Sequence, residues 1–111
     1  MRTFLLLYRK QASNILQYVD CLRYVLDSYN IDMILGDFNI NYFNDNQVQP
    51  LKYLIESFNY SQIVTRPTFI SSGSLLHHVY VRPTVFEIIE NYVVNYSDHD
   101  AIKITVQYCN Q

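Results

Sequence analysis

Apolar positions along this chain fall into blocks whose spacing changes from one block to the next. Thr3 to Tyr8 is a continuous apolar run closed by Arg9 and Lys10, a length that suits a strand buried on both faces. Ile15, Val19, Leu22, Leu26 and Tyr29 follow at alternating intervals of four and three, and Leu16 and Val25 widen that stripe. Asn14, Gln17, Asp20, Arg23 and Asp27 occupy the other side. The spacing predicts an amphipathic helix over about 13–29, with Ser13 as N-cap, laid by one face on a sheet.

Met33-Ile34-Leu35 reads as a short strand that stops at Gly36, and the Asn-rich stretch 39–49 as a loop. Pro50 falls at or near the first position of a short helix through about Phe58, with Leu51, Leu54, Ile55 and Phe58 on one face. Gln62 to Thr65 is a short strand ended by Pro67, and Ser71 to Ser74 is a turn around Gly73. Leu75 to Arg82 alternates as a strand, with Val79 and Val81 on one face and Tyr80 on the other. Ala101 to Tyr108 alternates most cleanly, with Ile102, Ile104, Val106 and Tyr108 inward. The segment 85–94 fits neither period and reads as an extended connection with a possible helical turn. The order β-α-β-α-β followed by further strands predicts an α/β (α+β) fold: a mixed sheet with helices on one face.

Composition narrows the picture. At 111 residues and 50% apolar, the chain is one small domain or part of a larger one, and no disordered tail. Eight basic against ten acidic side chains leave a net charge of −2, so no polycationic stripe marks a nucleic-acid binder, although a site that holds a cation could still meet phosphate. Cys21 and Cys109 form no metal-binding pattern and read as reduced thiols. The first apolar run is too short for a signal peptide or a membrane span, so an intracellular location, nuclear or cytoplasmic, is expected, with no membrane partner. Gly occurs at positions 36 and 73 alone, and each glycine marks a backbone position that needs one.

Three polar clusters lie at the ends of apolar strands. In Gly36-Asp37-Phe38-Asn39, Asp37 and Asn39 point the same way if the chain is extended, into the crevice where α/β folds place ligands. Asp37 can take a proton or face a metal ion; a simple turn is the alternative. In Ser97-Asp98-His99-Asp100, Asp98 suits a hard cation and His99 can donate to a phosphate oxygen; a polar loop before a strand is the alternative. In His77-His78, adjacent strand positions face opposite sides, so one imidazole at most looks into a given cleft, and this spacing is wrong for zinc.

Taken together, these motifs resemble the endonuclease/exonuclease/phosphatase superfamily, and most closely the endonuclease domain of non-long-terminal-repeat retrotransposons, the reverse-transcriptase-associated kind. Tyr8-Arg9 is similar to that subgroup's strand ending, and the helix followed by Ile34-Leu35-Gly36-Asp37-Phe38-Asn39 to its most specific motif. Gln62-Ile63-Val64 with Arg66-Pro67-Thr68-Phe69, Ser74 to Val81, and Tyr96 to Ala101 resemble its later segments in order and spacing.

The resemblance implies a two-sheet α/β sandwich, Mg²⁺ or Mn²⁺ as cofactor, and DNA as substrate. It implies that Asp37 polarises the attacking water and Asn39 helps hold it. Asp98, with Asp37, would support the metal, and His99 would contact the scissile phosphate. Thr68, Arg9 and Arg66 would touch the nucleic acid; structural or solvated roles are the alternatives. Two departures stand out. The superfamily domain is roughly twice as long, and its first half carries an Asn and the principal metal-binding Glu. Position 77 is Asp in the family pattern and His here, so His77 cannot supply the negative charge that fixes the catalytic histidine. The chain is therefore expected to be the C-terminal half of such a domain (1–111), inactive alone, with the absent N-terminal half as partner. Its orphaned sheet face, with Val79, Val81, Ile102 or Ile104 uncovered, is expected to drive self-association. A relative acting on a small phosphoester, and a non-catalytic interaction module, are the rival readings.

Overall fold

In the computed structural model the described residues are 2–64, 73–82, 86–96 and 99–108, the last two segments by their backbone course. Four strands form one mixed sheet: β1 (Phe4–Tyr8), β2 (Met33–Asp37), β3 (Ser61–Gln62) and β4 (His77–Val81), in the order β1-β2-β4-β3. β1 runs parallel to β2, and β4 runs antiparallel to both β2 and β3. β5 (Phe86–Tyr96) and β6 (His99–Tyr108) pair as a separate antiparallel hairpin.

The register sorts the four-stranded sheet into cross-strand rows. Leu5–Ile34–Tyr80 and Leu7–Gly36–His78 lie on one face. Phe4–Met33–Val81, Leu6–Leu35–Val79 and Tyr8–Asp37–His77 lie on the other, because residues two apart share a face. Helices α1 (Ile15–Ser28) and α2 (Asp45–Ser57) cover the first face. Val19, Leu22 and Leu26 of α1, with Val48, Leu51, Leu54 and Ile55 of α2, close over Ile34 and Tyr80. Each such side chain contributes about 1.5–3 kcal/mol relative to an exposed one. On the second face Met33, Val79 and Val81 pack with Val64 and Leu75.

Several elements depart from the sequence expectation. The N-cap of α1 is Asn14, whose side chain accepts from the Gln17 N–H at 3.0 Å, while Ser13 Oγ donates to the Lys10 carbonyl. Leu16 and Tyr29 lie outside the buried stripe and are exposed. α2 begins at Asp45, so Pro50 sits inside it; the Asn44 side chain accepts from the Gln47 N–H, and Val48 adds a buried turn ahead of Leu51. That helix ends in a Schellman motif: Tyr60 N–H donates to the Ile55 carbonyl and Asn59 N–H to the Glu56 carbonyl, with Asn59 at φ +64°. The segment expected as a connection is most of β5, which carries an irregularity between Ile88 and Glu90.

β1 differs most. It is the edge of the sheet, and its burial alternates, with Phe4, Leu6 and Tyr8 exposed. Val79 and Val81, expected to be uncovered, are buried. Among the described residues the exposed apolar stripe lies on β1 instead, while the second cluster closes over β4. Ile102 and Ile104 belong to β6, whose side-chain surroundings lie outside the description.

Candidate active site

The polar end of the sheet is built from the turn that follows β2. Gly36 is required there: its φ is +151°, and a Cβ on it would meet the Leu7 carbonyl oxygen at 1.8 Å. β1 and β2 therefore approach more closely than any side chain permits. Asp37 then closes the strand, and its Oδ1 accepts the Asn39 N–H at 3.0 Å, an Asx-turn. Asn39 adopts φ +49°, so the chain leaves the extended geometry and the two side chains do not run on as neighbours on one strand face. The Asn39 Nδ2 donates instead to the Arg9 carbonyl at 2.6 Å.

Arg9 holds this turn from the other side. Its N–H donates to the Asp37 carbonyl at 2.9 Å. Its guanidinium donates to the carbonyls of Phe38 at 3.3 Å, Asn39 at 3.0 Å and Ser13 at 2.6 Å. The residue is 3% exposed. The sequence offered two roles for Arg9, phosphate contact or solvated surface, and the structure shows a third. The carbonyls of the turn and of the approach to α1 face inward and need donors, which one planar fork supplies.

Asp37 and His77 are cross-strand partners in the last row of the sheet, beside Tyr8. Asp37 Oδ2 lies 3.8 Å from His77 Nε2, with the two side chains 30% and 37% exposed. At that separation a protonated His77 pairs with Asp37 by charge, and water reaches both. His78, one residue on, faces the opposite way and is fully buried. It stacks on Phe38 with ring centroids 4.8 Å apart. Its Nε2 lies 2.8 Å from the Ile40 carbonyl and 3.1 Å from that of Leu75, so Nε2 carries the proton. Nδ1 then accepts from the Tyr80 hydroxyl at 2.8 Å. Burial lowers the His78 pKa to about 4, against the smaller opposing pull of the two carbonyls, and burial pushes the Tyr80 hydroxyl well up. His78 is thus a neutral core histidine, and His77 is the one that looks out.

Sequence reasoning missed Asn41 and Tyr80. The Asn41 Oδ1 accepts from the N–H groups of Phe43 and Leu75, at 3.2 and 3.0 Å, and ties the loop after the site to the lead into β4. The available signal was the repeated Asn at 39 and 41, an ordinary turn composition. An open groove of about 390 Å³ lies elsewhere, lined by Tyr42, Phe43, Asp45, Lys52, Gln62 and Val64. Its Gln62 amide is already bonded to the backbone of Val64 at both ends.

Asp98, Arg66 and Thr68 lie outside the described residues, as do Ser97 and Cys109. His99 opens β6 opposite Tyr96, and its side chain lies outside the description. The described residues thus bring Asp37, Asn39 and His77 to one end of the sheet. Among the described residues no three His, Cys, Asp or Glu side chains converge as a metal site, and no helix is long and apolar enough to cross a membrane.

Neither a protein-family model nor a curated protein matches the sequence. Among solved structures, the chain is similar to the endonuclease domain of TRAS1, a telomere-specific non-LTR retrotransposon, with a TM-score of 0.70 at 15% identity. The match covers 86% of this chain and 51% of that one, so the chain spans about half the length of the structure it matches. The motif resemblance and the backbone meet on one conclusion: the chain has the α/β fold of half of a retrotransposon-type endonuclease domain.

Proposed function

We propose that this chain supplies half of a divalent-cation-dependent phosphodiesterase site acting on DNA, and that it does not cleave alone. The placement of Asp37 opposite His77 carries the reading. It puts a solvent-reached carboxylate on a rigid turn, at the strand ends where α/β folds place ligands. In this reading Asp37 polarises the attacking water and Asn39 orients it. Asp98 supports the ion and His99 contacts the scissile phosphate in the same reading, and Thr68 and Arg66 contact the nucleic acid.

Mg²⁺ or Mn²⁺, when bound, would supply positive charge to a transition state that gains negative charge. The residues in hand do not make a complete site for it. Such an ion prefers six oxygen ligands, and Asp37 is the one carboxylate that β1, β2 and β4 bring to that end. The remaining ligands belong to Asp98 or to the other half of the domain.

A second reading, an interaction module that kept the fold without the chemistry, has its own support. Asp37 Oδ1, the Asn39 amide and Arg9 all serve the turn itself. Titration of Mn²⁺ into the chain, followed by water-proton relaxation, separates the two. Binding that weakens about ten-fold in Asp37→Ala supports the half-site. An unchanged titration curve in that variant favours the module. Plasmid nicking by the lone chain that vanishes in Asp37→Ala would overturn the statement that the chain does not cleave alone.

A further inference from the structure

We propose that the end of the sheet binds a transition-metal ion through one nitrogen and one oxygen, His77 Nε2 and Asp37 Oδ2, and that this pair selects Zn²⁺ over the Mg²⁺ or Mn²⁺ that the motif resemblance implies. The inference rests on the half-site reading for the use of the ion, and on the cross-strand pair alone for its binding. Asp37 and His77 are register partners on β2 and β4. Their Nε2 and Oδ2 atoms are 3.8 Å apart, beyond hydrogen-bond length. Zinc bonds to imidazole nitrogen and carboxylate oxygen are each about 2.0–2.2 Å, so two donors of one tetrahedral ion lie about 3.4 Å apart. A closure of about 0.4 Å, small for side-chain torsions, brings both donors onto one ion. Both stand on fixed backbone. The Asn39 N–H donates to Asp37 Oδ1 at 3.0 Å, which sets the plane of the carboxylate with Oδ2 towards His77. On β4 the next residue, His78, is stacked on Phe38 and bonded to the carbonyls of Ile40 and Leu75, which holds the strand one position from His77.

The donor types decide which ion. Mg²⁺ demands oxygen ligands in near-octahedral array and gives up its water reluctantly. Imidazole nitrogen suits Zn²⁺ and its neighbours, and Zn²⁺ accepts mixed nitrogen and oxygen ligands in a tetrahedron. The Asp of the family pattern at position 77 would have kept this pair all-oxygen; His77 exchanges one of the two oxygens for nitrogen. His77 and His78 cannot share an ion, because they face opposite ways. The sheet register supplies the second ligand from across the strand pair instead. Two of four positions on the ion are then filled, and water or oxygens from the other half of the domain take the remaining two.

Competition titrations test this on the full 111-residue chain, carrying Cys21→Ser and Cys109→Ser so that no thiolate takes the ion. Zn²⁺ is titrated against a colorimetric zinc chelator, and Mn²⁺ by water-proton relaxation. The expected result is Zn²⁺ binding that weakens about ten-fold or more in both His77→Gln and Asp37→Asn, and a Zn²⁺-to-Mn²⁺ affinity ratio that falls about ten-fold in His77→Asp. Zn²⁺ affinity that is unchanged in either of the first two variants overturns the proposal, as does an unchanged ratio in the third. Histidine ¹⁵N spectra of the chain with His77 and Asp37 intact keep the test independent of how the variants fold. Zn²⁺ should move the His77 Nε2 signal and leave those of His78 in place; a His77 signal that does not move overturns the proposal. Zn²⁺ binding that needs both side chains, in a chain whose Mn²⁺ titration is the same with Asp37→Ala, keeps this site and removes the half-site reading.

Discussion

Arg9 and Asn39 hold each other reciprocally: the Asn39 Nδ2 donates to the Arg9 carbonyl at 2.6 Å, and the Arg9 guanidinium donates to the Asn39 carbonyl at 3.0 Å. The turn that presents Asp37 is therefore fixed from the end of β1, across 30 residues of sequence. Replacing Arg9 by Ala leaves the carbonyls of Phe38, Asn39 and Ser13 without those donors. The expected cost is about 3 kcal/mol, read as a lower urea midpoint at unchanged slope. Arg9→Lys restores less than half of it, since an ammonium cannot span three carbonyls in one plane. A residue that touched only nucleic acid would leave the midpoint where it was.

His78 gives the fold a pH dependence of definite sign. Its folded pKa of about 4 lies below the ordinary histidine value of 6.5, so the unfolded chain binds the proton more readily. The stability is fully present above about pH 6.5 and is lost progressively as pH falls towards 4. The loss is on the order of 3 kcal/mol. Denaturation midpoints at pH 7, 5.5 and 4.5 measure it. In His78→Phe that part of the slope disappears, while the midpoint at pH 7 drops because Tyr80 and two carbonyls lose their partner.

Gly36→Ala is expected to be among the most damaging small substitutions. The added methyl carbon meets backbone oxygen at 1.8 Å, and neither strand can yield without breaking the β1–β2 register. A loss of about 3 kcal/mol or more follows, with faster amide exchange at Leu5 and Leu7.

Asn59→Gly points the other way. Asn59 holds φ +64° at the end of α2, where glycine carries no steric cost. A gain of roughly 0.5 kcal/mol in thermal unfolding is expected.

His77→Asp places a second carboxylate opposite Asp37. Without metal the two like charges destabilise the chain at neutral pH. With Mn²⁺ present the same pair should bind about ten-fold tighter than the wild type, by the same relaxation titration.

Much of this was readable from residue order, and the reasons for the exceptions are physical. The α1 stripe gave Val19, Leu22 and Leu26 as buried, because an isolated helix face has one period to read. The start of α2 was hidden because Asn44, Asp45, Asn46 and Gln47 have loop composition, and the deciding contact is a cap bond to Gln47 N–H. β5 defeated the alternation test at its irregularity near Ile89, which shifts the phase of the strand midway. At the site, opposite facing of His77 and His78 followed from strand geometry alone. The roles of Arg9 and Asn41 did not, since both depend on carbonyls that are near only after folding.

The adjacent imidazoles of β4 also constrain how that strand can be assembled. Sliding β4 by one residue against β2 would carry His77 into the place between Phe38 and Tyr42 and His78 into the buried place of Val79, among Met33, Val64, Leu75 and Val81. The same slip would swing Tyr80 off the helices and bring Val79 beneath them, leaving the Ile40 and Leu75 carbonyls facing a misaligned ring. Two chemically identical side chains in succession thus make the shifted frame look harmless in sequence and costly in structure. A one-residue slip at this strand therefore costs the burial of an imidazole among apolar side chains, a penalty that composition alone does not show.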